Sequence, residues 1–262
     1  MPPELIKYRV EEGVAVIELH NPPANAYSYE MFRQLDDAIL RARMDDSVHV
    51  VVVTGAGDRF FCAGADIAML EKATPDFKYY FCLHANETLL RLENTPKLVI
   101  AAINGHCVGG GLEVALACDL RIAREGAGKV GLPEVALGVL PGTGGTQRLT
   151  RLVGRSRALE LMIQGATMTI CEAQAAGLIS SIVSGPSFWP QVMATARSYC
   201  PPNKAARAVG AIKRAVHGGA DLPVESGLAL ERELQQRLFT SEDAREGLAA
   251  FLARRTPEFK GR

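Results

Sequence analysis

The chain has 262 residues, 48% of them hydrophobic and 22% charged, and its 29 Lys+Arg balance 29 Asp+Glu. That composition suits a globular protein with a sizeable buried core, and zero formal charge lacks the basic excess of a nucleic-acid or acidic-membrane binder. Six cysteines, at 62, 82, 107, 118, 171 and 200, form no C-x-x-C pair and no zinc-like spacing, so free buried thiols in a reducing cytoplasm are expected. The first residues lack the basic start and apolar stretch of a signal peptide. The longer apolar runs are broken by Gly, Asn and His well short of membrane-spanning length. A soluble, cytoplasmic protein that touches neither membrane nor nucleic acid is the expectation.

Residues 6–19 alternate in places (Val14, Val16 and Leu19 against Glu12 and Glu18) and predict a hairpin turning at Glu12-Gly13. Asn21-Pro22-Pro23-Ala24-Asn25 ends it. Ser28 is a candidate N-cap for a helix over 29–44, with Met31, Leu35, Ile39 and Leu40 at helical spacing. Residues 48–53, rich in valine and ending at Thr54-Gly55, predict a strand covered on both faces. A loop, Phe61-Cys62-Ala63-Gly64-Ala65-Asp66, then leads into a helix with Asp66 as candidate cap.

The pattern recurs. Residues 98–103 form another apolar strand, Asn104-Gly105 another break, and Val108-Gly109-Gly110-Gly111 a glycine-rich turn into a helix over 112–118. Residues 120–123 and 178–183 predict short strands, with helices over 156–163 and 170–176 between them. Strand, glycine-rich loop and helix, repeated roughly every 45–50 residues, predict an α/β fold of stacked units rather than one closed barrel. Beyond residue 188 no strand signal remains, and 204–217, 225–239 and 241–255 read as helices. The last opens with Ser241-Glu242-Asp243 and ends in Arg254-Arg255 before Pro257. The expected division is therefore a catalytic domain over 1–190 and a helical region over 191–262. The apolar face of that region (Leu248, Phe251, Leu252) must pack on the main domain or on a neighbouring subunit.

Two glutamates stand out. Glu113 follows the glycine triplet and Glu134 follows Gly131-Leu132-Pro133, each inside an otherwise apolar stretch. A carboxylate in such surroundings must be hydrogen-bonded or have a shifted pKa, which suits an acid/base pair. The glycine turn offers free backbone N–H groups at a helix start, and Ala63-Gly64-Ala65 is a second such turn. Two N–H donors from two loops are what an oxyanion hole needs. Pro141-Gly142-Thr143-Gly144-Gly145-Thr146-Gln147 is not G-x-G-x-x-G and carries no Lys-Ser/Thr, so a nicotinamide or nucleotide site is not expected. No Ser or Cys occupies a nucleophile elbow, Cys107 reads as a core thiol, and the five histidines make no metal-ligand spacing. No metal is expected.

Taken in order, Phe61 to Ile67, Asn104 to Glu113, Gly131 to Glu134 and Pro141 to Leu149 resemble the enoyl-CoA hydratase/isomerase (crotonase) family, and the likeness extends to 241–247 and the C-terminal Phe259-Lys260. The resemblance implies a spiral of ββα units with a helical C-terminal region that forms trimers, often paired into hexamers. It puts the oxyanion-hole amides on Ala65 and Gly110, the acid/base pair on Glu113 and Glu134, and a water-positioning glycine on Gly142. It gives Ala24, Ala63, Asp66 and Ile67 as coenzyme A contacts, and Arg254 as a candidate for the CoA phosphates, because the Pro22-Pro23-Ala24-Asn25 loop lacks a basic residue. Residues 69–80 should wall the acyl pocket. The implied activity is reversible syn addition of water across the C2=C3 bond of a trans-2-enoyl-CoA, giving a 3-hydroxyacyl-CoA, as in fatty-acid β-oxidation. Coenzyme A is part of the substrate and no separate cofactor is called for. Within the family a Δ3,Δ2-enoyl-CoA isomerase, which manages with one acid at the position of Glu134, is the alternative. Outside it, a non-catalytic scaffold or RNA-binding relative would show a basic stripe.

Overall fold

The computed structural model describes residues 3–262. β1 (Ile6–Glu11) and β2 (Val14–Leu19) form the expected antiparallel hairpin, and β2 runs parallel to β3 (Val50–Gly55). There follow β4 (Phe60–Cys62), β5 (Leu98–Ile103), β6 (His106–Val108), β7 (Leu120–Arg124), β8 (Lys129–Gly131), β9 (Thr167–Thr169) and β10 (Ser181–Val183). One sheet has the order β1-β2-β3-β5-β7-β10 and the other β4-β6-β8-β9. The pairs β3-β4, β5-β6 and β7-β8 thus each give their first strand to the large sheet and their second to the small one. That recurrence is the ββ half of the ββα repeat.

The helices are α1 (Tyr29–Met44), α2 (Ile67–Lys72), α3 (Pro75–Glu93), α4 (Gly110–Leu116), α5 (Gly145–Val153), α6 (Arg155–Gln164), α7 (Ile170–Ala175), α8 (Phe188–Ser198), α9 (Ala206–Gly219), α10 (Val224–Phe239) and α11 (Glu242–Leu252). Ser28 caps α1 by accepting from Met31 N, as its position suggested. Thr74 does the same for α3 from Phe77 N, with Pro75 at the first helical position.

The large sheet is covered on both faces because β3 and β5 at its centre carry unbroken apolar runs, Val50 to Val53 and Leu98 to Ile103. Val51 and Val53 of β3 pack in one core with Phe32 and Leu35 of α1 and Phe81 and Leu89 of α3. Val50 and Val52 turn to the opposite face and meet Phe188, Val192 and Met193 of α8. α8 therefore crosses residue 190, the expected boundary, and belongs to the packing of the sheet. The strand-free remainder holds to the body through α9: Lys213 is buried, pairs with Asp119 at 2.8 Å and donates to Lys97 O.

Candidate active site

α4 begins where β6 ends, and the glycine triplet lets the backbone make that turn. Gly109 has φ +55° and its N–H donates to Gly131 O of β8 at 2.9 Å, which pins the turn to the small sheet. A Cβ on Gly111 would collide with the Cys62 carbonyl, and one on Gly110 would fall inside the Tyr27 phenol. No side chain fits at either position. The loop after β4 therefore lies directly against the start of α4: a Cβ built on Gly64 would stand 3.0 Å from Gly110 N. The amides of Ala65 and Gly110, the two expected oxyanion donors, have no protein acceptor among the described residues, and neither has that of Gly142. Gly110 is the first residue of a helix, so its N–H cannot find an intrahelical partner.

Glu113 sits in the first turn of α4, 1% exposed. Its Oε1 accepts from Thr143 N at 2.8 Å and Gly145 N at 2.7 Å, and its Oε2 accepts from the Thr143 hydroxyl. All three partners are donors, so the carboxylate is held as an acceptor and its orientation is fixed by the turn that precedes α5.

Glu134 opens a single 3-10 turn, Glu134–Leu137, after β8. Its Oε1 would lie 3.3 Å from a Cβ on Gly109, and its Oε2 is buried with no partner among the described residues. Burial pushes its carboxyl up to about 7, with a smaller upward contribution from the charge of Glu113. Desolvation outweighs repulsion between the two carboxyls, as the apolar setting of Glu134 in the sequence suggests. The two glutamates thus occupy unlike surroundings, one saturated with donors and one starved of them.

The expected coenzyme A contacts line the rim of the same loop. Ala63 N donates to Ala24 O at 3.0 Å, which ties the proline turn to the oxyanion loop. Asp66 caps α2, its Oδ1 accepting from Ala68 N and Met69 N, so its side chain has a structural task. Ile67, the first residue of α2, is 57% exposed. Arg254 follows α11 with φ +53° and is exposed; its N–H donates to Phe251 O within the helix end, and no hydrogen bond joins it to the loop among the described residues. Cys107 is buried, its thiol pushed well above the ordinary range by desolvation, as a core cysteine should be. Two site residues were not anticipated from sequence: Thr143, in a motif from which only Gly142 was singled out, and Tyr27, which no local signal marks.

The α/β spiral thus sets Glu113 and Glu134 beside the turn that starts α4, with the unpaired Gly110 amide at that turn and the unpaired Ala65 amide in the loop against it. The enoyl-CoA hydratase/isomerase family profile matches residues 9–262. The 2,3-dehydroadipyl-CoA hydratase of Escherichia coli is 39% identical over 99% of each chain, and the short-chain-enoyl-CoA hydratase of Clostridium acetobutylicum 38% over 96% of each. A solved enoyl-CoA hydratase of Geobacillus kaustophilus superposes with a TM-score of 0.96 at 45% identity, covering 100% of this chain and 98% of that one. The chain belongs to the enoyl-CoA hydratase/isomerase family.

Proposed function

We propose that this protein is an enoyl-CoA hydratase, adding water reversibly and syn across the C2=C3 bond of a trans-2-enoyl-CoA to give a 3-hydroxyacyl-CoA. The observation that carries this reading is the unequal environment of the two carboxylates. In hydration, the thioester carbonyl accepts from the Ala65 and Gly110 amides, and charge builds on that oxygen as water attacks C3. The donors therefore bind the transition state better than the ground state. Glu113, held by Thr143 and Gly145, takes a proton from the attacking water, which the Gly142 amide helps to orient. Glu134, with its raised carboxyl, delivers a proton to C2. The pair carries one proton before and after the step, so no external acid or base is consumed.

The substrate's coenzyme A moiety would run along Ala24, Ala63, Asp66 and Ile67, with Arg254 reaching its phosphates from a neighbouring subunit; no other cofactor enters the chemistry. Free thiols at all six cysteines fit a reducing cytoplasm, and no helix among the described residues is long and apolar enough to cross a membrane. Residues 191–262 are read as the region through which copies assemble into a trimer or a hexamer.

The test is a panel of short to long 2-enoyl-CoAs, followed by loss of the enoyl-thioester absorbance in the ultraviolet. Wild type should hydrate crotonyl-CoA, and Glu113→Gln and Glu134→Gln should each lower turnover by orders of magnitude in a folded protein. Inertness on the whole panel would overturn the reading. Consumption of a 3-enoyl-CoA that depends on Glu134 alone would replace it with the isomerase.

A further inference from the structure

We propose that Tyr27 is a positioning residue that holds Glu113 through Thr143 while its backbone fixes the Ala65 loop, so that one residue sets the spacing between base and oxyanion hole. The proposal rests on the hydratase reading for the role of Glu113. Tyr27 stands between the proline turn and the Ser28 cap of α1. Its backbone pairs with the loop after β4: Tyr27 N donates to Gly64 O at 2.9 Å and Asp66 N donates to Tyr27 O at 2.9 Å, opposite Ala65. Those two bonds bracket the Ala65 amide.

The side chain reaches the other half of the site. Its ring is buried, edge-on to Phe32 at 4.7 Å and tilted against Phe81 at 6.1 Å. Its hydroxyl takes the space where a Cβ on Gly110 would lie, and stands 3.4 Å from Thr143 Oγ1. Thr143 has one hydroxyl proton, and Glu113 Oε2 receives it. The Tyr27 hydroxyl is therefore the donor to Thr143, and burial reinforced by the nearby Glu113 charge keeps the phenol protonated by raising it well above its ordinary value. The 3.4 Å separation is long for an O–H···O bond, as catalytic contacts often are before substrate closes the site.

Ring packing does not explain the hydroxyl. Phenylalanine would fill the same space between Phe32 and Phe81, and a hydroxyl buried beside two carboxylates is unfavourable unless it is bonded. As the outer member of a Tyr27→Thr143→Glu113 chain, it polarises the threonine hydroxyl and strengthens that hydroxyl's bond to the base.

The test compares Tyr27→Phe, Thr143→Val and the double variant on crotonyl-CoA. It also follows the Glu113 carboxyl by carbon-13 NMR in glutamate-labelled protein, assigned with Glu113→Gln. Tyr27→Phe should melt within a few degrees of wild type, lower kcat about three- to tenfold with KM little changed, move the Glu113 resonance, and add nothing in the Thr143→Val background. A Tyr27→Phe enzyme with wild-type kcat and an unmoved resonance would overturn the proposal, as would a loss that adds fully to that of Thr143→Val. If wild type hydrates nothing, the hydratase reading falls, and the Glu113 resonance still decides whether Tyr27 positions that carboxylate.

Discussion

Thr143 binds Glu113 with two groups at once, its N–H to Oε1 at 2.8 Å and its hydroxyl to Oε2. A carboxylate gripped on both oxygens by one residue cannot rotate about its last bond without breaking both contacts. The orientation of the Glu113 carboxylate is thereby built into the turn that starts α5, and Gly145 N adds a third donor at 2.7 Å.

Thr143→Val keeps the backbone bond and the side-chain shape and removes only the hydroxyl. A hydrogen bond to a charged group contributes about 1.5–3 kcal/mol, which corresponds to roughly ten- to hundredfold in rate if it is lost on the way to the transition state. Steady-state kinetics on crotonyl-CoA should show that drop in kcat with little change in KM. Equal kinetics for the variant and wild type would show that the two backbone donors suffice.

The raised carboxyl of Glu134 makes a pH prediction. If Glu134 delivers the proton to C2, its carboxyl, pushed up to about 7, must be protonated, so kcat/KM for hydration should fall as pH rises through about 7. Dehydration of 3-hydroxybutyryl-CoA should follow the same limb, because the pair holds one proton in either direction. Stability follows with a definite sign. A carboxyl raised in the folded state, from an ordinary 4.5 to about 7, contributes stability that is fully present below 4.5 and lost as pH rises through 7. The stability of wild type relative to Glu134→Gln, from urea midpoints, should therefore decline between pH 5 and pH 8. A flat difference would mean that Glu134 titrates normally.

How much of this was legible in the sequence follows from where each signal lives. β3 and β5 announce themselves by their apolar runs, Val50 to Val53 and Leu98 to Ile103, the mark of a strand buried on both faces. The small sheet stays silent: β4, β6, β8 and β9 have three residues each, too few for alternation to register. α3 escapes notice because its partly open side carries Phe77, Tyr79, Tyr80 and Leu83, which blur the apolar stripe. The glutamates are visible as charges set beside glycine or proline in apolar segments. Their partners are not. Thr143 meets Glu113 across 30 residues, and Tyr27 meets Thr143 across 116, contacts that only the tertiary fold creates.

Gly142 gives a sharper test of packing at the water-side amide. A Cβ there would stand 3.2 Å from Cys82 Sγ of α3, closer than ordinary contact but against a side chain that can be shortened. Gly142→Ala should lower kcat by pushing the turn, and with it the Thr143 grip, away from α3; overpacking of this kind costs about 1–3 kcal/mol. Cys82→Ala in the same chain frees that space and should restore most of the loss in both melting temperature and kcat. If the double variant is as impaired as Gly142→Ala alone, the defect lies in the backbone and not in the contact with Cys82.

Asp119 anchors α9 through Lys213 and His217 without touching the glutamate pair. Its Oδ2 accepts from Val99 N at 2.7 Å and from Lys213 Nζ at 2.8 Å, and its Oδ1 meets His217 Nε2 at 2.9 Å. The Lys213 and Asp119 side chains are only 4% and 9% exposed. Lys213→Met would leave a buried carboxylate without its main partner, a loss of about 3–5 kcal/mol, and should lower the urea midpoint while the activity per folded molecule stays near wild type.

Assembly is the remaining prediction, and it turns on the far end of the chain. Phe251 and Leu252 close α11 at 82% and 83% exposed, and Val224 opens α10 at 79%. Apolar side chains this open are unfavourable on an isolated chain and suit a surface that a partner covers. If residues 191–262 carry the oligomer contacts, sedimentation should find wild type at three or six times the 28.2 kDa chain mass. Phe251→Glu with Leu252→Glu should shift it toward the single chain, because two desolvated carboxylates cannot be accommodated in an apolar contact. Arg254 lies two residues beyond, so the same variant should also raise KM for crotonyl-CoA if that arginine serves a neighbouring subunit's substrate. A monomeric wild type would remove both expectations. An unchanged oligomer in the double variant would move the interface elsewhere on the molecule.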